Sequence, residues 1–286
     1  MTHISIGIPD SFLVESQSLL DKSIKTAQLA RACSIFRVKN IFIYKDRSSK
    51  CDPQDAKIMK MILEYLDTPP YLRKKLFRQV WILKFAGMLP PVKSPHHKSK
   101  ISIRNLELGD VRVGAVFKQD GKTYVDVGLD VPIRLNEIKP VGNKILVKVS
   151  SKHPEITGSE ISTDMLNGYW GYSVLFFESL GELLGSRRSN EIILTSINGR
   201  QISENHLLDS LKNKIGSLED LLVVFGSPKN GLGKIIRSEG GNDSKYPFII
   251  NMFPDQGTDT IRVEEAILGS LAILNNYIKL WCNHRI

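Results

Sequence analysis

The chain has 286 residues, 42% of them hydrophobic and 24% charged; this excludes a disordered polyelectrolyte and leaves enough apolar side chains for one large domain or two smaller ones. No apolar run reaches 18 residues, so a membrane-spanning helix is not expected, and Cys33, Cys51 and Cys282, none at C-x-x-C spacing, imply neither a disulfide framework nor a zinc site. The formal net charge of +9 favours polyanionic partners, nucleic acid before an anionic membrane surface.

Residues 3–8 alternate and predict a strand; the first twelve residues lack the basic head and long apolar core of a signal peptide, so reduced thiols in a cytoplasmic protein are expected. Helical spacing follows over residues 16–37, then a short apolar run, 40–44, suits a buried strand; strand, helix and strand together suggest a parallel βαβ unit. A second helix is predicted from Asp52-Pro53 to about Tyr65, ended by Pro69-Pro70. A third runs over 71–86, with Leu72, Leu76, Val80 and Leu83 on one face and Lys74 and Arg78 on the other. That basic face is read first as solvated and second as a phosphate contact.

Residues 89–98 form a proline-rich basic linker holding His96-His97, read as a hinge in preference to a metal site or a base-stacking pair. Short strands follow at 110–117, 122–128, 131–135 and 144–149, with Asp120-Gly121 as a turn between the first two; this module of about 65 residues suits a five-stranded OB-like barrel. Phe117 and Tyr124 are its candidate base-stacking residues, and core positions are the preferred reading for both. A polar stretch, 151–164, closes it. An α/β pattern then resumes: strands at 172–177, 191–195, 221–225 and 247–251, helices at 178–184, 203–214 and 260–277. The expected organisation is a discontinuous α/β domain, residues 1–93 and 162–286, with an all-β insertion at 94–161.

Three strands in the second half run into small or polar residues: Thr195-Ser196-Ile197-Asn198-Gly199, Gly226-Ser227-Pro228, and Asn251 through Gly257-Thr258. In open parallel sheets ligands bind beyond the carboxyl ends of strands, so three such ends would frame one pocket. A phosphate-binding P-loop fails, because Leu232 stands where its lysine belongs, and the dinucleotide pattern fails because Ile236 takes its last glycine position. Glu264 and Glu265 suit a helix N-terminus, but Arg262 is a cation in the same unfavourable turn; either it pairs with Glu265 or Asp259, or it serves the pocket.

The run from Asn251 to Leu268, Asn-x-x-Pro-x-Gln-Gly-Thr-x-Thr-Ile-Arg-x-Glu-Glu-Ala-Ile-Leu, resembles the C-terminal signature of one branch of the SPOUT (trefoil-knot) superfamily, the archaeal and eukaryotic uridine-N3 RNA methyltransferases with an inserted β module. Ile6-x-Ile-Pro-Asp-Ser, Leu29-Ala-Arg-Ala-Cys-x-Ile-Phe, Pro70-Tyr-Leu-Arg-Lys, Phe85-Ala-Gly-x-Leu-Pro-Pro, Ser94-Pro-His-His and Tyr169-Trp-Gly-Tyr resemble the same branch, in order along nearly the whole chain. The resemblance implies a parallel sheet with a deep C-terminal trefoil knot, a homodimer whose interface builds the active site, bound S-adenosylmethionine, and N3 methylation of a uridine in large-subunit ribosomal RNA. By position the cofactor would meet Thr195, Ser196, Asn198, Gly226, Ser227, Asn251, Gly257 and Thr258. Relatives often read Gly-Thr-Ser-Glu-Arg-Gly in the first loop; here Asn198 replaces the basic residue.

The imide nitrogen of uridine attacks best once deprotonated, and an arginine can stabilise the developing anion without taking a proton. Arg31, in a motif resembling one that places an arginine near the reacting groups, is the first catalytic candidate, and Arg262 the second; a surface ion pair is the competing reading for Arg31. Glu265 or water could accept the proton. A ribosome-assembly factor that keeps the fold without turnover, and a ribose 2′-O-methyltransferase, remain as alternatives.

Overall fold

The computed structural model describes residues 2–78, 80–215 and 218–283. Its elements run β1 (His3–Pro9), α1 (Leu19–Ile35), β2 (Val38–Tyr44), α2 (Asp55–Asp67), α3 (Pro70–Leu76), β3 (Val111–Gln119), β4 (Lys122–Asp126), β5 (Ile133–Leu135), β6 (Lys144–Ser151), β7 (Thr157–Glu160), β8 (Ser173–Phe177), α4 (Leu180–Gly185), β9 (Ile192–Gln201), α5 (Asn205–Ile215), β10 (Asp220–Val224), α6 (Leu232–Ser238), β11 (Ile249–Asn251) and α7 (Val263–Asn283). They fall into two compact units, Met1–Glu64 with Phe85–Pro90 and Tyr172–Ile286, and Tyr65–Lys84 with Pro91–Gly171. Residues 65–84, read from the sequence with the α/β part, group here with the strands of the second unit. Among the described residues no helix is long and apolar enough to cross a membrane.

The first unit is built on a six-stranded sheet in the order β11-β9-β10-β1-β2-β8, with every neighbouring pair parallel. A parallel sheet of this kind is covered on both faces, which is why β10 reads as a near-continuous apolar run and why β1, though its sequence alternates, is buried on both sides; in both strands all but the first residue are buried. On one face Phe42, Tyr44, Leu194, Leu222 and Val224 pack with Leu180, Leu183 and Leu184 of α4 and Leu232, Ile235 and Ile236 of α6. α1 begins where Ser18 and Asp21 cap it reciprocally: the Asp21 N–H donates to Ser18 Oγ at 3.1 Å and the Ser18 N–H to Asp21 Oδ2 at 3.3 Å. It packs against α7, and Lys25 of α1 pairs with Glu264 of α7 at 3.2 Å.

In the second unit β3-β4-β5-β7-β6 close into a barrel. Its pairs are antiparallel except the parallel β5–β7. Val116, Val125, Ile133, Leu135, Ile145, Val147 and Val149 fill it, with Leu106 and Ile156 added from the connections. The β3–β4 hairpin turns at Asp120 and Gly121, both at positive φ, as the sequence pair predicts. The fourth strand of the sequence reading is followed by a fifth, β7, inside the stretch read as a polar closing segment; only Gly158 of its four residues is buried, so it carries no apolar signal. Phe117 and Tyr124 are half-buried cross-strand neighbours, not core, with rings stacked at 5.8 Å and 25°.

Three further expectations change. The helix expected over 71–86 stops at Leu76: Phe77 turns extended and its ring meets Tyr65 edge-on at 5.4 Å, while Leu72 alone of the expected stripe buries fully, against Val113 and Ala115. α6 was not expected at all. The histidine pair, read first as a plain hinge, is a buried anchor, with His96 2% exposed. The Nε2 atoms of His96 and His97 lie 2.8 and 2.9 Å from the carbonyl oxygen of Asp67, at the end of α2. There imidazole N–H groups satisfy a carbonyl that the helix leaves open.

Asp67 is itself buried, with Lys144 Nζ at 2.8 Å from Oδ2 and His96 Nε2 at 3.3 Å from Oδ1. Burial works to raise its pKa; the Lys144 ammonium and His96 outweigh that and hold the carboxyl below the ordinary carboxylate range. With the folded value depressed, the stabilisation is present above the unfolded pKa and is lost as pH falls through the folded one. Lys144→Met leaves a buried carboxylate with its main cation gone. It is expected to lower unfolding free energy at pH 7 by about 2–3 kcal/mol, below the full cost of breaking a buried pair because Lys144 is partly solvated; urea denaturation checks it, and the deficit should vanish once Asp67 is protonated.

Candidate functional site

β9 makes the site by failing to stay in register. Leu194 pairs with Ile249 of β11, yet the next β11 residue, Ile250, pairs with Arg200. Residues 195–199 therefore have no partner on that side and are expelled from the ladder as a bulge. The sequence reading placed a loop at these residues but ended the strand there; the strand resumes at Arg200 and Gln201. Gly199 makes the return possible: a Cβ there would lie 2.7 Å from the Ile250 carbonyl carbon and 2.8 Å from the Ile249 carbonyl oxygen. Asn251 pins the bulge, its Nδ2 donating to the Ile197 carbonyl at 3.0 Å, while its Oδ1 accepts from the Phe253 N–H at 2.9 Å. Thr195 Oγ1 donates to the Val224 carbonyl at 2.9 Å, which ties the bulge to the end of β10.

The second loop, 226–231, leaves β10 and enters α6. Ser227 N–H donates to the Asn230 carbonyl at 2.9 Å and Asn230 N–H to Ser227 Oγ at 3.0 Å, a tight turn. At Gly226 a Cβ would meet the Asn230 oxygen at 2.9 Å, so only glycine lets the chain fold back this closely. The third loop follows β11 into α7. Gln256 Nε2 donates to the Thr258 carbonyl at 2.7 Å and Thr258 Oγ1 to the Thr260 carbonyl at 3.0 Å.

Together the three loops surround a cleft of about 650 Å³, within the range of small-molecule sites. Thr195, Ser196, Asn198, Gly226, Ser227 and Asn251 line it, so six of the eight expected cofactor residues come together in one place. Gly257 and Thr258 are exposed in the third loop and do not line it; their neighbours Gln256, Asp259 and Thr260 do. The apolar part of the wall comes from Leu194, Ile197, Ile249, Met252 and Phe253. Lys234 and Arg237 add cationic side chains that sequence reasoning missed. Their signal was the i, i+3 spacing on α6, a helix hidden by the Gly-rich stretch before it.

Neither candidate arginine lines the cleft. Arg31 is exposed on α1. Arg262 is exposed and forms no ion pair among the described residues; it is its backbone N–H that Glu265 accepts, at 3.0 Å, so the carboxylate caps the helix instead of facing the cleft. Asp243, paired with Arg237 at 3.4 Å, and Asp259 are the carboxylates in the lining. Among the described residues the one cluster with metal-ligand character is Asp67, His96 and His97, in the other unit, where Lys144 already occupies Oδ2 of Asp67. Burial raises the Cys33 thiol pKa far above its usual value, and that of Cys51, with Asp10 adding to it, to about 11, so neither is a poised nucleophile; the side chain of Cys282 lies outside the described residues.

Comparison with known proteins follows the same lines. Residues 3–274 match the family described as "Putative RNA methyltransferase". The chain is 27% identical to a 28S rRNA (uridine-N(3))-methyltransferase of Drosophila melanogaster, over 96% of this chain and 62% of the fly protein's length. It is 28% identical to a protein of the same name in Homo sapiens, over 95% of this chain and 77% of that one. It is 27% identical to an uncharacterized protein of Halobacterium salinarum, over 94% and 98% of the two.

The bulge yields a prediction that needs no ligand. Gly199→Ala drives a methyl into the β11 backbone and should cost about 1–3 kcal/mol, the range for overpacking. Asn251→Ala removes two side-chain hydrogen bonds, one of them exposed, and should cost about 1–2 kcal/mol. Thermal unfolding of the two variants beside wild type gives the ranking.

Proposed function

The chain belongs to this putative RNA methyltransferase family, and from that membership we propose that it transfers a methyl group from S-adenosylmethionine to N3 of a uridine in large-subunit ribosomal RNA. The observation that carries the proposal is the convergence of three loops, all at the carboxyl end of one parallel sheet, on a single cleft. The names of the fly and human relatives support the base and the RNA. The net charge of +9 suits a polyanionic substrate.

The residues present fit the cofactor. Gly226 lines the cleft and lets the 226–231 loop fold back on itself, and Gly199 lets the neighbouring bulge close onto β11, so both glycines shape the wall that would face an adenine and a ribose. Leu194, Ile197, Ile249 and Met252 offer an apolar bed for a purine, and Lys234 an ammonium for an amino-acid carboxylate. When bound, S-adenosylmethionine supplies an electrophilic methyl on a sulfonium centre. This chain's part is to hold the base in line with it, to exclude water, and to stabilise the N3 anion. Arg31 and Arg262 are proposed for the last task. Since neither lines the cleft of its own chain, a homodimer in which the second copy brings its arginine to this cleft completes the site.

The order β11-β9-β10-β1-β2-β8, with the last strand at one edge and α7 returning to α1, supports a C-terminal trefoil knot. The five-stranded closed barrel supports an OB-like RNA-binding module, with the stacked Phe117–Tyr124 pair on its outer face as a platform for bases.

A methyl-transfer assay with labelled S-adenosylmethionine and ribosomal RNA from cells lacking the gene tests the reading. Label should appear as 3-methyluridine, and Arg31→Ala should reduce the rate by about 10²-fold or more, the scale of a lost anion-stabilising donor. Label on a ribose hydroxyl would replace the base assignment. Cofactor binding with no transfer to any RNA would overturn the enzyme reading.

A further inference from the structure

The loop between β2 and α2 is folded from the inside. Asp46, 2% exposed, accepts hydrogen bonds from Ser11 Oγ at 2.7 Å, Ser48 Oγ at 2.6 Å and the Ser48 N–H at 3.0 Å. Its own N–H donates to Asp10 Oδ1 at 2.9 Å, and the Ser49 N–H returns to its carbonyl at 3.4 Å. Burial works to raise the Asp46 pKa, but the hydroxyls of Ser48, Ser11 and Ser49 overcome it, so the carboxylate is ionised and saturated by its own neighbourhood. It has nothing left to offer the cations beside it.

Those cations are Lys45, Arg47 and Lys50. All three are exposed, and none forms an ion pair among the described residues. Arg47 reaches the Glu178 carbonyl at 3.4 Å and no carboxylate. Other cations of this unit do have carboxylate partners, Lys22 with Asp55, Lys25 with Glu264 and Arg187 with Asp220. Three unpaired cations within six residues, on a turn held rigid by a buried carboxylate, form a concentrated positive edge that costs little ordering entropy when an anion arrives.

This edge is fastened to the cleft. Asn230, 6% exposed, directs Nδ2 at Ser48 Oγ (2.9 Å), Ser49 Oγ (3.2 Å) and the Ser48 carbonyl (3.3 Å). The same residue closes the 226–231 loop through Ser227, and that loop lines the cleft. The basic turn and the second cleft loop are thus one hydrogen-bonded body.

We infer that Lys45, Arg47 and Lys50 form a phosphate clamp for the substrate RNA beside the cleft, and that Asn230 is a positioning residue that couples the clamp to the loop holding the methyl donor. The inference rests on the proposed RNA methyltransferase function. A neutral or zwitterionic small substrate has no use for three clustered cations, whereas a strand of phosphates binds them by releasing its counterions, and each contact steepens the salt dependence.

The test measures binding of a ribosomal RNA fragment by fluorescence anisotropy between about 50 and 200 mM salt, and S-adenosylmethionine affinity by calorimetry with and without that RNA. The Lys45→Ala/Arg47→Ala/Lys50→Ala variant should bind RNA about tenfold more weakly at low salt. Its log–log salt slope should be smaller by about 2, from roughly 0.7 for each lost contact to a single strand, with cofactor affinity and melting temperature unchanged. Asn230→Ala should bind RNA with the wild-type salt slope but lose the change in cofactor affinity that RNA produces in wild type. Wild-type RNA affinity and slope in the triple variant would overturn the clamp while leaving the enzyme reading intact. An RNA-induced change in cofactor affinity preserved in Asn230→Ala, or absent from wild type, would overturn the coupling. A wild-type protein that binds no RNA would overturn the clamp and the function together.

Discussion

Ile249 pairs with Leu194 and the very next residue, Ile250, with Arg200, and from that jump the rest of the site follows. A strand added to a parallel ladder normally advances residue for residue. Here five residues are left over on β9, and the backbone has to put them somewhere off the sheet. They emerge at the carboxyl end, where β10 also stops and where β11 gives way to its own loop. The bulge is held at its root by Gly199, whose missing side chain lets two backbones touch, and at its tip by Asn251. Remove the register shift and Thr195, Ser196 and Asn198 would return to the ladder, leaving the cleft with two walls.

The second dependence is electrostatic. Asp46 is buried at the end of β2 and satisfied by serines from two segments, one before α1 and one in its own turn. Asp10, close by, is pushed the other way: burial raises its pKa, and the hydrogen bond from the Asp46 N–H offsets only part of that rise, to which the Asp46 charge adds. One carboxylate of the pair is thereby charged and stiffly hydrogen-bonded, and the other is discouraged from charging, an arrangement expected when two acids share a small volume. The ordered turn that results is what turns Lys45, Arg47 and Lys50 outward and gives Asn230 a fixed set of partners.

The barrel unit uses ions differently. Arg112 is buried with its Nε on the Val127 carbonyl at 2.8 Å, its Nη2 on the Ser99 carbonyl at 2.6 Å and its guanidinium over the Tyr71 ring. It knits the segment before the barrel and α3 to β3. Asp67, Lys144 and the two histidines do the same for the end of α2 and the end of the linker. The histidines that the sequence suggests as a hinge are spent on closing a helix end.

Sequence alone determined the parallel α/β pattern, the separate all-β module with its Asp120-Gly121 hairpin, the family, and the small and polar residues around the cleft. These are carried by local signals: apolar periodicity, turn chemistry, and glycine where backbone must crowd. The three small and polar segments it singled out in the second half do meet at one cleft, though the first is a bulge within β9 and not a strand end. Only the tertiary structure decided where helix 71–86 ends, that residues 157–160 pair as a strand, that α6 forms and brings Lys234 and Arg237 to the cleft, and that Arg31 and Arg262 lie outside the lining. Each depends on a partner far away in the chain. Phe77 leaves the helix beside Tyr65, β7 is a strand only because β5 and β6 offer it hydrogen bonds, and the bulge at 195–199 exists only because β11, some fifty residues later, skips them. Local sequence carries the cost of a conformation, but the compensating contact belongs to another segment, and it is that contact which chooses.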